Sequence, residues 1–539
     1  MISTILNSIK IESQVYSATR NLKSLSNDVL KRVLSGSVQS LYGQQYKISK
    51  NISLSDFKAS VPITQYENYR LWIERIMAGE RDVLWPSRPI SFVSTSGTTA
   101  SAKIIPITRE FLDDYHLDSR VTYHRLMLRN PGLIFGKILA IGGPAIERMV
   151  NGIPIGSITG LLYSTLPEPI YSRLLLDSKI YDLPSFEDKL YLISRLALEA
   201  KLAGIITVIP GTLLVLEDEI NRRAEQLIWE IETGKISRIN SVPPHLLERI
   251  SHNLRPNKSR ANNLKKALSR DGKLLPKNIW PLKFLCTYMK EIDPHQWKKI
   301  EYLFGDLSII DPGIVASEGR ISIGYNANCV SSALIPSASF IEFLPWDHLN
   351  DFRFTGNRTT YLPDELDIGK HYIPIISNRN GFLRYMTGDI VKVTKRHSGI
   401  PFAEFIGRID NCLSAAGEKM TEVHFREAVS VLDKSANFEI GSWAVGIEWK
   451  GAWPHYVFIY ESEQEIHGIG IQMEKQLRKL NVSYDRKRSQ RLLSPLTAIK
   501  RKVGAISSSH GNIKWFGQSK QKRFYESRDS EFRRLLKVG

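Results

Sequence analysis

The side chains of this chain that could carry chemistry lie in loops, and the most informative loop is rich in serine, threonine and glycine. It covers residues 94–103 and directly follows a short apolar stretch, residues 90–93, that is typical of a strand. Backbone N–H groups and hydroxyls in such a loop can bind phosphate oxygens, and the Lys103 ammonium would add a positive charge. The spacing is not that of a Walker A loop, and a flexible Ser/Thr turn is the alternative interpretation.

Two acidic residues occupy loops further along the chain. Glu318, preceded by Ser317, follows a predicted strand, and a carboxylate at that place can hold Mg²⁺ beside a nucleotide. Asp389 ends a Thr387-Gly388-Asp389 turn between two predicted strands, where it can accept both hydroxyls of a ribose. A solvated loop acid and an ordinary hairpin turn are the respective alternatives.

A fourth segment, Gly407-Arg408-Ile409-Asp410, is predicted to join two domains. Such a junction can serve as a hinge, and Arg408 could reach a phosphate or a ribose. A charged linker without a further role is the alternative.

The elements that must position these loops alternate between short apolar strands and amphipathic helices. Strands are predicted at residues 90–93, 133–141, 283–287 and 307–311, and helices at 22–41, 67–77, 186–203, 217–233 and 295–303. This alternation favours an α/β protein with a mostly parallel sheet. Further strands, predicted at residues 340–344, 373–377, 382–387, 390–393 and 402–406, indicate antiparallel or barrel-like pairing.

After residue 408 a smaller unit is predicted, with strands at 442–448 and 455–460 and an amphipathic helix at 463–480. We therefore expect a large domain, residues 1–408, and a small domain, residues 409–539.

Composition excludes several classes of protein. The 539 residues include only three distant cysteines, Cys286, Cys329 and Cys412, so a disulfide framework and a cysteine-type zinc site are excluded, and reduced cysteines favour the cytoplasm. No apolar stretch is long enough to cross a bilayer. The net charge of +18 is concentrated after Asn481, but no nucleic-acid motif accompanies it. A Gly-x-Ser-x-Gly elbow and a His-Glu-x-x-His pair are both missing, which argues against hydrolases and metalloproteases.

In their order and spacing, the four segments resemble those of adenylate-forming enzymes. More specifically, the sequence resembles the auxin-conjugating (Gretchen Hagen type) acyl acid amido synthetases and their bacterial relatives, over roughly residues 55–525. Further matches include Val61-Pro62-Ile63, Ile105-Pro106-Ile107-Thr108, Val242-Pro243-Pro244, Gly417-Glu418-Lys419 and Gly517-Gln518-Ser519-Lys520 with Arg523.

This resemblance implies an adenylate-forming fold, in which a large N-terminal domain is followed by a small, mobile α+β domain, and it implies a role for each matching residue. Thr95, Ser96, Gly97, Thr98 and Thr99 would cradle the ATP phosphates beside Lys103. Glu318 would help to hold Mg²⁺, with Ser317 close to the acyl-adenylate. Asp389 would bind the ribose hydroxyls, Arg408 would lie at the hinge, and Lys520 would move in from the small domain during adenylation.

Three positions depart from the family pattern. Ala100 replaces a second glycine of the phosphate loop, which brings a Cβ close to phosphate. Ile314 replaces a tyrosine that stacks on adenine, which removes an aromatic contribution of ~0.5–1.5 kcal/mol. Lys522 stands where a proline often precedes the last arginine.

The expected function is that of an ATP-dependent ligase that adenylates a carboxylic acid and transfers the acyl group to an amine, with an amino acid as the expected amine. ATP and Mg²⁺ are the expected cofactors, and the chain is expected to be a cytoplasmic monomer without a membrane or specific nucleic-acid partner. Three alternatives remain open: a ligase that uses coenzyme A or another nucleophile, a degenerate nucleotide-binding homologue without turnover, and a binder of anionic surfaces through the basic C-terminal segment.

Overall fold

The computed structural model describes residues 21–95, 103–129, 136–166, 168–237, 242–289, 294–346, 359–409, 412–416, 418, 420–435, 440–450, 453–506, 523–525 and 529–537. The predicted site residues Ser96, Gly97, Thr98, Thr99 and Lys520 lie outside these residues, as do Ala100, Asp410 and Lys522. Their roles stay predictions.

Helices and strands alternate along much of the described chain. The helices are α1 (Leu22–Ser37), α2 (Leu41–Gln45), α3 (Leu54–Ser60), α4 (Tyr66–Met77), α5 (Arg109–Arg129), α6 (Ile158–Ser164), α7 (Glu168–Tyr171), α8 (Phe186–Glu199), α9 (Gly211–Arg222), α10 (Ala224–Thr233), α11 (Pro244–Asn253), α12 (Lys258–Asp271), α13 (Pro276–Ile279), α14 (Pro294–Phe304), α15 (Glu422–Ser435), α16 (Ile469–Leu480), α17 (Val482–Ser489) and α18 (Ser530–Lys537). The strands are β1 (Ser91–Ser94), β2 (Ile104–Ile107), β3 (Lys137–Ile141), β4 (Arg148–Val150), β5 (Ile153–Gly156), β6 (Leu202–Thr207), β7 (Phe284–Cys286), β8 (Ser308–Ile310), β9 (Ser332–Ala333), β10 (Ser339–Pro345), β11 (His371–Asn378), β12 (Tyr385–Met386), β13 (Asp389–His397), β14 (Ile400–Arg408), β15 (Cys412–Leu413), β16 (Met420–Thr421), β17 (Trp443–Lys450), β18 (Trp453–Glu461), β19 (Thr497–Arg501) and β20 (Phe524–Tyr525).

The strands β3, β6, β7 and β8 form a parallel sheet, in that order, in the described part of the chain. The apolar residues of β6 are nearly all buried, because the core of α8–α14 packs against this sheet. The carboxyl ends of its strands therefore lie at one common edge, which is where parallel sheets of this kind bind ligands.

A second sheet, in the order β2-β1-β5-β4, holds the ends of the predicted phosphate loop. Strands β1 and β2 pair antiparallel, with Ser94 opposite Ile104, so the loop connects the two arms of a hairpin. Helix α5 begins directly after β2, where the Thr108 hydroxyl oxygen accepts the Phe111 N–H at 3.1 Å and caps the helix.

A third sheet is antiparallel and carries the predicted ribose-binding turn. Its described strands run in the order β10-β11-β13-β14-β9, with β12 paired to β11. The β13–β14 hairpin is long and sets Asp389 directly opposite Arg408. The antiparallel pairing predicted from the sequence for this region is confirmed.

The C-terminal part has a sheet of its own, in the order β19-β18-β17-β20, and a short β15–β16 hairpin. Its apolar core joins these strands to α15 and α16, and its described members all lie at or after Leu413. A smaller cluster bridges the two parts, where Ile409 and Val423 pack against Ile373 of β11 and Ile390 of β13.

Several predicted element boundaries were wrong. The predicted helix at residues 217–233 is two helices, α9 and α10, that meet at Arg223. The predicted strand at 382–387 shrinks to β12, because Arg384 adopts a left-handed backbone with φ of 50°. None of the described helices is long and apolar enough to cross a membrane.

Candidate active site

The two ends of the predicted phosphate loop are hydrogen-bonded to each other. The Thr95 N–H donates to the Lys103 carbonyl at 2.9 Å, and the Lys103 N–H donates to the Thr95 hydroxyl oxygen at 3.3 Å. These bonds continue the β1–β2 ladder by one residue, so both ends of the loop are fixed by the sheet. Thr95 and Lys103 therefore have the positions expected of residues that begin and end a phosphate-binding loop.

Ser317 and Glu318 form the tip of a tight turn. Ala316 and Gly319 exchange two backbone hydrogen bonds, at 3.0 and 3.2 Å, across these two residues. A Cβ at position 319 would lie 2.8 Å from the Ile376 Cδ1 of β11, so the turn packs closely against the antiparallel sheet. The Asn378 amide donates to the Glu318 carbonyl at 2.8 Å and fixes the turn from the other side.

The Glu318 carboxylate, only 6% exposed, lies between a tyrosine and the loop lysine. The Tyr385 hydroxyl donates to Oε1 at 3.0 Å, and the Lys103 ammonium lies 3.8 Å from the same oxygen. The lysine and the tyrosine hydroxyl are 3.4 Å apart. Both contacts of the carboxylate go to Oε1, so Oε2 has no partner among the described residues.

Tyr385 is a site residue that sequence reasoning missed. Burial, and after it the negative charge of Glu318, raises the pKa of this phenol well above its usual range. The hydroxyl therefore stays protonated and acts as a hydrogen-bond donor to Glu318. Its position in the Arg384-Tyr385-Met386 stretch, just before the Thr387-Gly388-Asp389 turn, was the available signal.

Tyr66 supports the same lysine from α4. Its hydroxyl accepts the Ile104 N–H at 2.8 Å, which ties α4 to the start of β2. The Lys103 ammonium lies 5.7 Å from the centre of the Tyr66 ring, within reach of a cation–π contact. The position of the Lys103 side chain is thus set by Tyr66, Tyr385 and Glu318 together.

Asp389 and Arg408 form an ion pair across the β13–β14 hairpin. The Arg408 Nη1 donates to Asp389 Oδ1 at 2.8 Å, and Nη2 donates to the Thr387 carbonyl at 3.0 Å. Gly388 has φ of 81°, a conformation that favours glycine and lets the chain turn into β13. Because Tyr385 lies two residues before Thr387, this pair and the Glu318 group lie at neighbouring points of one sheet.

A buried ion pair supports the turn from behind. Arg384 and Glu342 are fully buried and lie 3.0 Å apart, and Arg384 also donates to the carbonyls of Lys58 and Val61. The left-handed backbone of Arg384 directs the chain into this arrangement, so Tyr385 and Asp389 follow from a fixed starting point.

Other predicted residues have structural positions. Ile314 is only 6% exposed and packs in the core of the large domain, so little of its side chain is available to a nucleotide base. Glu418 accepts the N–H groups of Ala415 and Ala416 and the Tyr456 hydroxyl, and it organises the small domain. Arg523 lies 3.7 Å from Glu422 and over the Trp443 ring.

Two family models match the sequence. The model described as the GH3 family N-terminal domain matches residues 11–308, and the GH3 family central domain model matches residues 332–408. The predicted family is therefore confirmed.

Curated relatives and a solved structure agree with these matches. The indole-3-acetic acid-amido synthetase GH3.4 of Arabidopsis thaliana is 26% identical over 431 residues, which cover 76% of this chain and 71% of the relative. The jasmonoyl-L-amino acid synthetase GH3.5 of Oryza sativa subsp. japonica is 24% identical over 448 residues, with coverages of 77% and 75%. The structure of the AtGH3.15 acyl acid amido synthetase in complex with 2,4-DB superimposes with a TM-score of 0.80 at 20% identity, over 99% of this chain and 96% of that one, which confirms the predicted fold class.

Proposed function

The chain belongs to the GH3 family, and from that membership we propose that it is an ATP-dependent acyl acid amido synthetase. In the proposed reaction, a carboxylic acid and ATP form an acyl-adenylate and pyrophosphate. An amine then attacks the acyl carbon, AMP leaves, and an amide results. The named activities of the relatives, which join indole-3-acetic or jasmonic acid to amino acids, support an amino acid as the amine.

The observation that carries this proposal is the convergence of four distant stretches of sequence. Lys103, Glu318 and Tyr385 lie within 3.8 Å of one another, and the Asp389–Arg408 pair begins two residues beyond Thr387 on the same sheet. Cations and fixed donors beside carboxylates are what a triphosphate and its ribose require.

We assign the ATP contacts accordingly. The loop from Thr95 to Thr99 and the Lys103 ammonium would bind the phosphates. Asp389, held by Arg408, would accept the ribose hydroxyls. The chemistry at the α-phosphorus is an in-line displacement that needs positioning and charge stabilisation, and no covalent enzyme intermediate.

The Glu318 carboxylate fits Mg²⁺ that accompanies ATP. Such an ion takes one or two protein carboxylates and completes its shell with phosphate oxygens and water. The Tyr385 hydroxyl orients Glu318 through Oε1 and leaves Oε2 without a described partner, so one oxygen is available for a ligand. When bound, the ion would neutralise charge on the phosphates.

The two half-reactions need different surroundings, which a small domain that rotates about residues 408–409 would supply. We propose that residues 1–408 bind ATP and the acid and that residues 409–539 form the mobile domain, from which Lys520 reaches the site during adenylation. The separate apolar core from Leu413 onward supports this division. A cytoplasmic location and a monomeric state belong to the same proposal.

Acid-dependent exchange of labelled pyrophosphate into ATP tests the first half-reaction. Purified protein should support exchange with at least one acid of a panel of aromatic, indolic and aliphatic acids. With that acid, an amino acid should yield an amide and coenzyme A should yield no thioester. Thioester formation would favour a coenzyme A ligase instead, and persistent absence of exchange would indicate a nucleotide-binding homologue without turnover.

A further inference from the structure

Arg320 is a buried arginine that the proposed reaction leaves without a role. It lies two residues after Glu318, at the base of the same turn, and is only 6% exposed. Its Nη1 donates to the Ser119 hydroxyl of α5 at 3.1 Å, and its Nη2 donates to the Pro312 carbonyl at 2.6 Å. The guanidinium also lies 5.6 Å from the centre of the Tyr115 ring. Three contacts from two elements thus hold it in one place.

The charge of Arg320 is only partly balanced. Among the described residues it has no carboxylate within 4 Å, and its Nε is buried without a hydrogen-bond partner. Burial raises the pKa of the nearby Asp118 to about 6, although the positive charge of Arg320 opposes the shift. Asp118 instead accepts the Ser337 hydroxyl and is an incomplete counter-charge. A buried guanidinium with an unused donor and no carboxylate in direct contact is costly to fold, and a ligand carboxylate would offset that cost.

The surroundings of Arg320 are those of a binding edge. Pro312, whose carbonyl accepts the hydrogen bond from Arg320 Nη2, lies two residues beyond the end of β8. At that same strand end, the Thr287 N–H donates to the Ile310 carbonyl. The Thr287 hydroxyl is fully buried and has no hydrogen-bond partner in the part of the chain that the structure describes. Two unpaired donors therefore flank the carboxyl end of β8, at the edge where parallel sheets bind their ligands.

The ligand that suits a fixed guanidinium is a carboxylate, whose two oxygens match its planar donors. The carboxylate that reacts with ATP must lie beside Glu318, within reach of Lys103 and Tyr385. The contacts of Arg320 go instead to Ser119, Pro312 and Tyr115, and it shares none with those two residues. A carboxylate bound by Arg320 would therefore be a group other than the reacting one.

We propose that the acyl acid used by this chain carries a second carboxylate, distant from the one that reacts, and that Arg320 binds it. The preferred substrates would thus be dicarboxylic acids. This inference rests on the proposed function and deepens it, because it names the class of acid. Arg320 acts here as a specificity-determining residue and takes no part in the adenylation itself.

The test compares acids that differ only at the far end. Pyrophosphate exchange would be measured with benzoate, terephthalate and 4-carbamoylbenzoate, and with hexanoate, adipate and the monoamide of adipate. We expect kcat/KM for the better of the two diacids to exceed that of its monoacid and its amide by about tenfold to a hundredfold, the range of one or two charge-assisted hydrogen bonds. The neutral amide separates recognition of charge from recognition of shape.

Arg320→Met should abolish this preference and leave exchange with the monoacid within about threefold of its original value. Arg320→Lys, which keeps the charge but loses the planar donors, should keep part of the preference. Arg379→Met is the matched control, because Arg379 also contacts α5 but is already paired with Asp114 at 2.6 Å. The preference of this variant for diacids should equal that of the parent chain. Melting curves would establish that each variant is folded.

The outcomes separate the two proposals. Exchange with monoacids but no preference for diacids would overturn this inference and leave the proposed function standing. A preference that survives in Arg320→Met, or that Arg379→Met loses equally, would also overturn it. Absence of exchange with every acid would overturn the proposed function, and this inference with it. Calorimetric titration of terephthalate provides a readout without turnover: equal affinity in the parent chain and in Arg320→Met would contradict the assignment.

Discussion

Arg384 and Arg320 are both buried in the large domain, close to the two turns that build the candidate site, but their charges are treated differently. Arg384 faces Glu342, both side chains are fully buried, and its Nε, Nη1 and Nη2 each donate a hydrogen bond. Arg320 has two hydrogen bonds, an unpartnered Nε and no carboxylate within 4 Å among the described residues.

The difference indicates what each residue is for. A buried ion pair with all its hydrogen bonds made is complete in itself and fixes the backbone around it. A buried charge with donors to spare is completed only by something that the protein binds. Burial alone would have grouped the two arginines together, whereas an account of their partners separates architecture from recognition.

The largest effect should come from breaking the complete pair. Glu342→Gln removes the charge opposite Arg384 and leaves an uncompensated buried guanidinium, which should lower the free energy of unfolding by about 3–5 kcal/mol. Urea denaturation measures this change in the free energy of unfolding. The control is Glu67→Gln, which breaks an exposed pair with Arg70 and should cause no measurable change. Equal stabilities of the two variants would contradict the structural role given to Arg384.

The second largest effect should be the loss of activity when carboxylates of the candidate active site are removed. Glu318→Ala should lower acid-dependent pyrophosphate exchange by about 10²–10³-fold, since it removes the carboxylate that faces Lys103 and the proposed Mg²⁺. Asp389→Ala should also abolish most exchange, through loss of the ribose contact. Near-normal exchange in either folded variant, with intact melting curves, would refute the site assignment.

The pH dependence of stability near Arg320 should be smaller. Asp118 has a pKa of about 6 in the folded chain against 3.8 for the free side chain, so the folded state binds more protons between these values. Stability from this group is therefore complete below about pH 4 and falls as the pH rises to about 6, by on the order of 3 kcal/mol.

Asp118→Asn should remove this fall, which unfolding curves between pH 4 and 6.5 would reveal as a difference from the parent chain. The comparison must be between variants, because burial lowers the pKa of His424 to about 4, and its effect has the opposite sign over nearly the same range. A constant difference between Asp118→Asn and the parent chain would show that Asp118 is not protonated in the folded state near pH 5.

The smallest effect sharpens the contrast. Arg320→Met should change the free energy of unfolding by no more than about 1 kcal/mol in the absence of ligand, because removal of an incompletely paired buried charge offsets the loss of two hydrogen bonds and of the attraction to Asp118. The same urea experiment applies. A loss as large as that of Glu342→Gln would mean that Arg320 is already paired in the folded protein.

The sequence singled out candidate site residues but not the residues that support them. Lys103, Glu318, Asp389 and Arg408, whose roles stay predictions, could be singled out because each stands in a segment whose order and composition resemble the family pattern. Tyr385 and Tyr66 could not, since a tyrosine in an apolar stretch looks the same whether it fills a core or orients a carboxylate. The partners of Arg320 could not be predicted either, because they include Ser119 of α5, which lies 201 positions away in the sequence.

Element boundaries failed where a local conformation overrode the apolar pattern. Residues 382–387 read as one strand, but the left-handed backbone of Arg384 breaks it so that its side chain reaches Glu342. Periodicity also did not reveal that the apolar run at residues 204–216 contains the end of β6 and the start of α9.

The turn at Ser317 and Glu318 joins two tasks on one short piece of backbone. Under the proposals above, Glu318 would hold Mg²⁺ beside the reacting end of the acid, and Arg320, two residues later, would bind the opposite end. Because both residues belong to one turn of the large domain, the distance between them does not depend on how the two domains are arranged. Rotation of the small domain would leave this distance unchanged. The specificity for the acid would therefore be the same in both half-reactions.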